Sequence, residues 1–193
     1  NKKALSYLTR AEEIAHQYND LRTITFLLVV RGEFCVYDGN CEEAIDLFEK
    51  ALEMNKKIKE KLLDHYLLVD ICDAHIKLDN LSNASAALRA LEPIISAKDS
   101  PQSYIEYLLA KGKIETEKGY FTKALDSFNS ALRLTRKIHQ IQQEMNAHYD
   151  ITNYYLKVDR PDAALIHMKK CLSIAQKYNY DTFIILEGKY NIA

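Results

Sequence analysis

The sequence predicts an all-α fold, an α-solenoid of about ten antiparallel helices. The first observation is an internal repeat, since alanine recurs every 40 residues, at Ala4, Ala44, Ala84, Ala124 and Ala164. A fixed period of this size is typical of solenoids and repeat arrays. The second observation is the scarcity of helix-breaking residues, since the 193-residue chain has only five glycines and three prolines.

Each repeat carries the apolar stripe of a helix that buries one side. Ala124, Phe128 and Ala131 stand at positions i, i+4 and i+7, which lie on the same face of a helix. The other members of the Phe128 and Ala131 columns are Leu8, Phe48, Leu88, Met168, Ala11, Ala51, Leu91 and Cys171. The stripe therefore recurs in register along the chain and predicts one buried helix face per repeat.

The first half of the chain is predicted to form five helices. We expect them at about 2–18, 20–38, 41–58, 60–78 and 81–97. Asp20 is suited to cap the second helix, and Asn40 with Glu43 resembles a capping box at the third. Gly39 can take the positive φ of a helix C-terminus. Pro93 lacks a backbone donor, so we expect a kink or an early end there.

The second half continues the pattern, with helices at about 101–118, 121–138, 140–158 and 161–178. Pro101 suits the first turn of a helix, where a backbone N–H has no partner to lose. Pairing the helices gives repeats at about 20–58, 60–97, 101–138 and 140–178, with half repeats at 1–18 and 180–193. We therefore expect residues 1–193 to be a single solenoid, a fragment of a longer array.

Composition argues against several classes of partner. The chain has 26 Lys and Arg against 27 Asp and Glu, so nothing in its charge favours direct contact with nucleic acid. The longest apolar run, Phe26 to Val30, is far too short to span a bilayer, and we expect no membrane contact. The four cysteines form no CxxC pair, which favours reduced thiols and a cytoplasmic location.

No motif for catalysis or metal binding is present. The patterns G-x-S-x-G, H-E-x-x-H, G-x-G-x-x-G and the P-loop do not occur. Cys72 and His75 form a C-x-x-H, but the neighbouring residues do not complete a zinc site. The remaining histidines are scattered without ligand spacing. We therefore expect neither an enzyme nor a bound metal or cofactor.

The columns resemble the tetratricopeptide repeat (TPR). That family has a small residue on the first helix of each pair and an alanine twelve positions later; the small residues here are Gly32, Cys72, Gly112 and Thr152. The resemblance covers essentially the whole chain, although the period is 40 instead of about 34, the family's tryptophan is missing and its closing proline is replaced. HEAT-type repeats have a closer period, but the column pattern favours the tetratricopeptide class. The resemblance implies a right-handed superhelix that binds a protein or short peptide in its concave groove.

Long-helix arrays of this kind are similar to two groups of bacterial proteins. One is the TPR region of peptide-pheromone receptors, and the other is the sensory TPR region placed before signalling domains such as diguanylate cyclases. The resemblance implies the sensory or regulatory region of a signalling or transcription-regulating protein. The alternative is a scaffolding or dimerisation region, such as a homodimer, with no small ligand.

The resemblance also places the binding residues on the first helices of the pairs. The N-terminal half offers an acidic and partly apolar lining, which suits a Lys, an Arg or a free amine. The C-terminal half offers Asn146 and Asn153, whose amides can pair with the backbone of an extended peptide. The candidate groove residues are Glu33, Tyr37, Tyr66, Asp70, Asp73, Lys113, Asn146, Tyr149, Asp150, Asn153 and Lys157.

Overall fold

The computed structural model describes residues 2–96, 98 and 100–180, and the side chains of these residues except 2, 4, 5, 61 and 62. Within these residues the chain forms nine α-helices and no strand, which confirms the all-α prediction. The helix predicted beyond Tyr180 and the side chain of Ala4 lie outside the described residues. The contacts divide the chain into two compact units, Asn1–Ile94 and Ile95–Ala193, here the N-terminal and C-terminal units.

The N-terminal unit contains five helices: α1 (Lys2–Gln17), α2 (Leu21–Tyr37), α3 (Cys41–Ile58), α4 (Lys61–Lys77) and α5 (Leu81–Leu91). Each helix packs on the next, and α2 also contacts α4. Helix α5 ends at Leu91, about six residues before the predicted end. Pro93 follows in a turn, because proline has no backbone N–H to donate to a helical hydrogen bond and its ring clashes with the preceding turn of a helix. The expected early end is thus confirmed, and the predicted boundary at 97 is wrong.

The C-terminal unit contains four described helices: α6 (Pro101–Glu117), α7 (Phe121–Lys137), α8 (Ile141–Lys157) and α9 (Pro161–Lys177). Consecutive helices pack together, and α6 also contacts α8. Pro101 lies in the first turn of α6, as its sequence position predicts. Among the described residues no helix combines the length and the apolar character that a bilayer crossing requires.

Eight of the described residues have a positive φ, each in the turn after a helix and each a multiple of 20 positions from the others. These residues are Asn19, Gly39, Lys59, Asp79, Gly119, His139, Asp159 and Asn179. Gly39 has a φ of 83°, and the N–H of Asn40 donates to the carbonyl of Cys35 at 2.8 Å. This is the bond that closes a Schellman turn. The regular turn explains why the repeat keeps its period.

The two predicted caps differ in outcome. The carboxylate of Asp20 accepts from the N–H of Thr23 at 3.2 Å, which confirms it as the N-cap of α2. Asn40 occupies the N-cap of α3, but its side chain makes no capping bond, so the expected capping box is wrong. The N–H of Asn40 already donates to Cys35. The reciprocal half of the box therefore has no free donor for Glu43.

The repeated columns are buried between the helices of each pair. Ala44, Ala84 and Ala124 have no exposed surface, and Ala164 is 2% exposed. A methyl group on Gly112 would lie 2.5 Å from the ring of Phe128, and one on Gly32 would overlap the ring of Phe48 in the same way. The two glycines thus make room for the two rings. The repeats without this glycine have the unbranched Met168 or the smaller Leu88 in place of phenylalanine.

Asn55 is a buried amide that ties α3 to α4. Its Nδ2 donates to the carbonyl of Glu60 and to Oδ1 of Asp64, both at 2.7 Å. Its Oδ1 accepts from the N–H of Glu60 at 3.3 Å. At the turn after α2 the corresponding N–H, that of Asn40, donates to a backbone carbonyl instead. The Asn55 side chain therefore takes over one backbone bond of the turn and adds a bond to the next helix.

Replacing Asn55 with alanine is expected to lower the free energy of unfolding by about 1–3 kcal/mol, because partly buried polar groups lose their partners. Urea unfolding measures this change as a lower midpoint at constant slope. Asn83→Ala is the matched control, since Asn83 is exposed on α5. Equal midpoints for the two variants would contradict the role given to Asn55.

Candidate functional site

A pocket of about 340 Å³ lies between α2 and α4 in the N-terminal unit. It is lined by Arg22, Phe26, Ile58, Glu60, Leu63 and Tyr66. Phe26 is 62% exposed and Tyr66 is 39% exposed, so both rings offer apolar surface at the pocket. Arg22 and Glu60 form an ion pair at 3.7 Å among the lining residues. The pocket can accept one large apolar side chain and offers charged groups beside it.

Two of these lining residues come from the turn that Asn55 holds. Ile58 ends α3, and Glu60 precedes α4, where its backbone bonds to Asn55. Both residues, together with Arg22 and Leu63, are absent from the residues predicted from the sequence, because they lie outside the groove columns of the family. The signal that could have found the pocket is the pair Phe26 and Tyr66, two large rings 40 residues apart.

The acidic candidates lie farther along the same two helices. Glu33 and Tyr37 follow Phe26 on α2, and Asp70 and Asp73 follow Tyr66 on α4. Glu33 stands seven residues after Phe26, two turns along the same face and about 10 Å away. Asp73 is seven residues after Tyr66, so it occupies the equivalent position on α4. We call the side of α2 and α4 that carries Phe26, Glu33, Tyr66 and Asp73 the first-helix face.

Glu33 has an electrostatic environment suited to a cation. Although much of the side chain is exposed, neighbouring atoms keep water from the carboxyl group, and this desolvation raises the pKa of Glu33 above its ordinary value. Among the described residues no Lys, Arg or His pairs with it. A desolvated carboxylate gains most from an incoming positive charge. This property agrees with the preference for Lys, Arg or an amine expected from the sequence.

The C-terminal unit brings Lys157 into an ion pair. Its Nζ lies 2.8 Å from Oε2 of Glu117, which joins α8 to α6. The two residues are 40 positions apart, so they belong to the same column of neighbouring repeats. A ligand that uses Lys157 must therefore compete with Glu117. Lys113 is half-buried on α6.

The remaining candidates lie on α8 with different surroundings. Asn146 and Asp150 are half-buried, and Asn153 is exposed. Tyr149 packs against the apolar cluster of Met145, Cys171 and Ala175. The ring of Tyr149 therefore contributes to the packing of α8 on α9, whereas Asn153 offers its amide to solvent.

The described residues hold no group of three or more His, Cys, Asp or Glu side chains arranged for a metal ion. The candidate site of the N-terminal unit combines an apolar pocket with the carboxylates farther along α2 and α4. The apolar cavity and the charged groups are held at a fixed distance from each other, because they lie on packed helices.

Comparisons with known proteins do not assign the chain to a family. No protein-family model matches the sequence, and a search of curated proteins found no match either.

Proposed function

We propose that this chain is a non-catalytic binding module of the tetratricopeptide type, which holds a short peptide or a segment of a partner protein. The observation that carries the proposal is the apolar pocket between Phe26 and Tyr66, with the desolvated carboxyl of Glu33 two turns away. The 40-residue columns and their burial support a right-handed superhelical solenoid with this face in its concave groove.

The spacing of the two features defines the ligand. An extended peptide advances about 3.3 Å per residue, so a distance of about 10 Å corresponds to three residues. A large apolar side chain fills the pocket, and a Lys or Arg three positions away reaches Glu33. The expected ligand therefore has an apolar and a basic residue separated by two others.

The biological role follows from the resemblance to regulatory arrays. A peptide that bridges α2 and α4 favours the packing of these helices that fits it best. If an output domain of a bacterial signalling or transcription-regulating protein senses that packing, the ligand shifts its activity by population shift. The alternative role is a scaffold or a dimerisation region without a small ligand.

Thermal unfolding in the presence of synthetic peptide pools tests the proposal. A ligand at about 100 times its Kd stabilises the folded state by about 2.7 kcal/mol, which raises Tm by several degrees. Phe26→Ala should remove the rise, and Tyr18→Ala, which changes a 75% exposed ring on the surface, should keep it. No rise from any pool, together with a dimer on a sizing column, would favour the scaffolding role.

Replacing Glu33 with glutamine is expected to weaken a basic peptide about fivefold, the value of a partly exposed ion pair. The same change should raise stability at neutral pH. Because the pKa of Glu33 is raised in the folded state, its ionised form costs stability as pH rises above the ordinary carboxyl range. Isothermal titration and thermal unfolding measure the two effects.

Glu13→Gln is the control for this substitution, because Glu13 is an exposed residue of α1. It should leave both affinity and Tm unchanged. Equal affinity of the Glu33→Gln variant and the wild type for a basic peptide would remove Glu33 from the site.

A further inference from the structure

A second pocket, of about 360 Å³, lies in the C-terminal unit between α7, α8 and α9. Its charged lining residues are Arg136 on α7, Glu144 on α8, and Lys169 and Lys170 on α9. Three cations and one carboxylate leave two positive charges around the cavity. The chain as a whole has a net charge of -1, so this pocket is a local concentration of positive charge.

The cations of the pocket differ in their bonding. Nε of Arg136 donates to Oε1 of Glu144 at 2.8 Å, so this guanidinium is already held in place. Lys169 and Lys170 are exposed, and neither pairs with another of the described residues. Ser173 lies one turn farther along the same helix and also lines the pocket. Two ammonium groups and a hydroxyl are therefore ready to donate to a ligand.

A buried imidazole forms another part of the lining. His148 is 1% exposed, its Nε2 lies 3.4 Å from Nη2 of Arg136, and its Nδ1 lies 3.0 Å from Nδ1 of His167. Arginine can only donate, so Nε2 of His148 accepts and its Nδ1 carries the proton. That proton is donated to His167. The arrangement holds His148 neutral and in one tautomer, and Glu144 is the one acidic residue among the described residues that line the pocket.

We propose that this pocket binds a small phosphate monoester. Such a group carries about −1.5 to −2 charges at neutral pH, which matches the two positive charges of the lining. Lysines bind phosphate oxygens as point charges, and the Ser173 hydroxyl can donate to a third oxygen. The cavity exceeds the size of one phosphate, and the Ile174 side chain offers an apolar wall for the attached organic group.

A carboxylate ligand fits this pocket less well. Its single charge leaves one cation unmatched, and the Arg136 guanidinium that would receive it already donates from Nε to Glu144 and lies with Nη2 against His148. The proposed phosphate site also stands apart from the proposed peptide function, because the residues that form it belong to the C-terminal unit. Each of the two proposals can fail without the other.

Isothermal titration at low ionic strength tests the site with three probes: glycerol 3-phosphate, inorganic phosphate and acetate. Glycerol 3-phosphate should bind saturably to one site, and acetate should not. Replacing both lysines, Lys169→Gln with Lys170→Gln, should weaken binding about tenfold. Glu144→Gln should tighten binding, because it removes the one negative charge of the lining.

Lys123→Gln provides the matched control, since it removes a lysine charge at the other end of α7, about 20 Å from Arg136. An equal loss of affinity in this control would show a general charge effect and overturn the site. Saturable binding of acetate would contradict the assignment of a phosphate monoester as the ligand. Binding of inorganic phosphate by a protein that does not bind glycerol 3-phosphate would contradict it as well. Absence of saturation by any probe would also overturn the proposal.

An NMR titration of the imidazole groups adds a measurement that non-specific electrostatic attraction of the anion would not change. Among the described residues, the charged or titratable groups that act on His148 are Arg136 on α7 and His167 and Lys170 on α9, and Glu144 on α8 lines the same pocket. An anion placed among them stabilises the imidazolium form, so glycerol 3-phosphate should raise the pKa of His148 or His167, by reciprocal linkage. Unchanged imidazole titration in the saturated protein would contradict the site.

Discussion

Replacing Phe128 with alanine is expected to lower the free energy of unfolding by about 3–5 kcal/mol. The ring is 1% exposed, its atoms occupy the space over Gly112, and it meets the ring of Tyr154 edge-on at 6.0 Å. Truncation removes this buried surface and leaves a cavity that the two helices cannot fill without moving. Urea unfolding followed by circular dichroism measures the loss.

Phe121→Ala is the control for this prediction. Phe121 begins the same helix and also meets Tyr154, at 6.3 Å between ring centroids, but it is 40% exposed. Its removal should cost much less than the removal of Phe128. A similar decrease in the free energy of unfolding for the two variants would show that the buried column position of Phe128 does not matter more than the exposed position of Phe121.

Gly112, which makes room for the ring of Phe128, gives a second form of the same test. Gly112→Ala should destabilise by about 1–3 kcal/mol, because the added methyl overlaps the ring, although alanine favours helix by about 1 kcal/mol. Adding Phe128→Leu should recover part of that loss, since the repeat with Cys72 in this column has Leu88 opposite. Additive losses would contradict the packing described here.

Acid is expected to destabilise the fold through His148. Its pKa is lowered to about 4, mainly by burial and then by the charges of His167, Lys170 and Arg136. Burial likewise lowers the pKa of His167. The unfolded chain therefore binds protons more readily, and the stability due to neutral His148 is complete above about pH 6.5 and lost as pH falls toward 4. At neutral pH this contribution to the free energy of unfolding is about 3 kcal/mol.

The difference between wild type and His148→Phe isolates this contribution. Both proteins carry the same acidic residues. The free energy of unfolding of the wild type minus that of the variant should therefore decrease as pH falls from 6.5 to 4. Asn83→Gln, which changes an exposed side chain of α5 that does not titrate, should leave a constant gap. A constant gap for His148→Phe as well would contradict the neutral, buried assignment.

The helices follow from the sequence because their determinants are local. Column spacing, turn residues and the scarcity of breakers mark the ends of the described helices closely except the end of α5, and Gly39 and Pro93 act as their chemistry predicts. The sequence predictions fail where another hydrogen bond competes for the same group or where a side chain replaces a backbone partner. The N–H of Asn40 is taken by the Schellman turn, and the amide of Asn55 supplies a bond that no local pattern announces.

The candidate site follows from the sequence only in part, since a column states which face a residue shares but not what it meets. Tyr66 lines the pocket of the N-terminal unit together with residues of α2 and of the α3–α4 turn, and Glu33 lies two turns beyond Phe26 on α2. Lys157 already pairs with Glu117. His148 and His167 meet across two helices, and their 19-residue separation matches no motif.

The most direct test of the proposed function is the affinity of the chain for a series of peptides with one Phe and one Arg at varied separation. Fluorescence anisotropy should give the tightest Kd when two residues separate them, and that optimum should disappear in Phe26→Ala and flatten in Glu33→Gln. An affinity that depends on composition and not on separation would contradict recognition by a pocket and a carboxylate at a fixed distance.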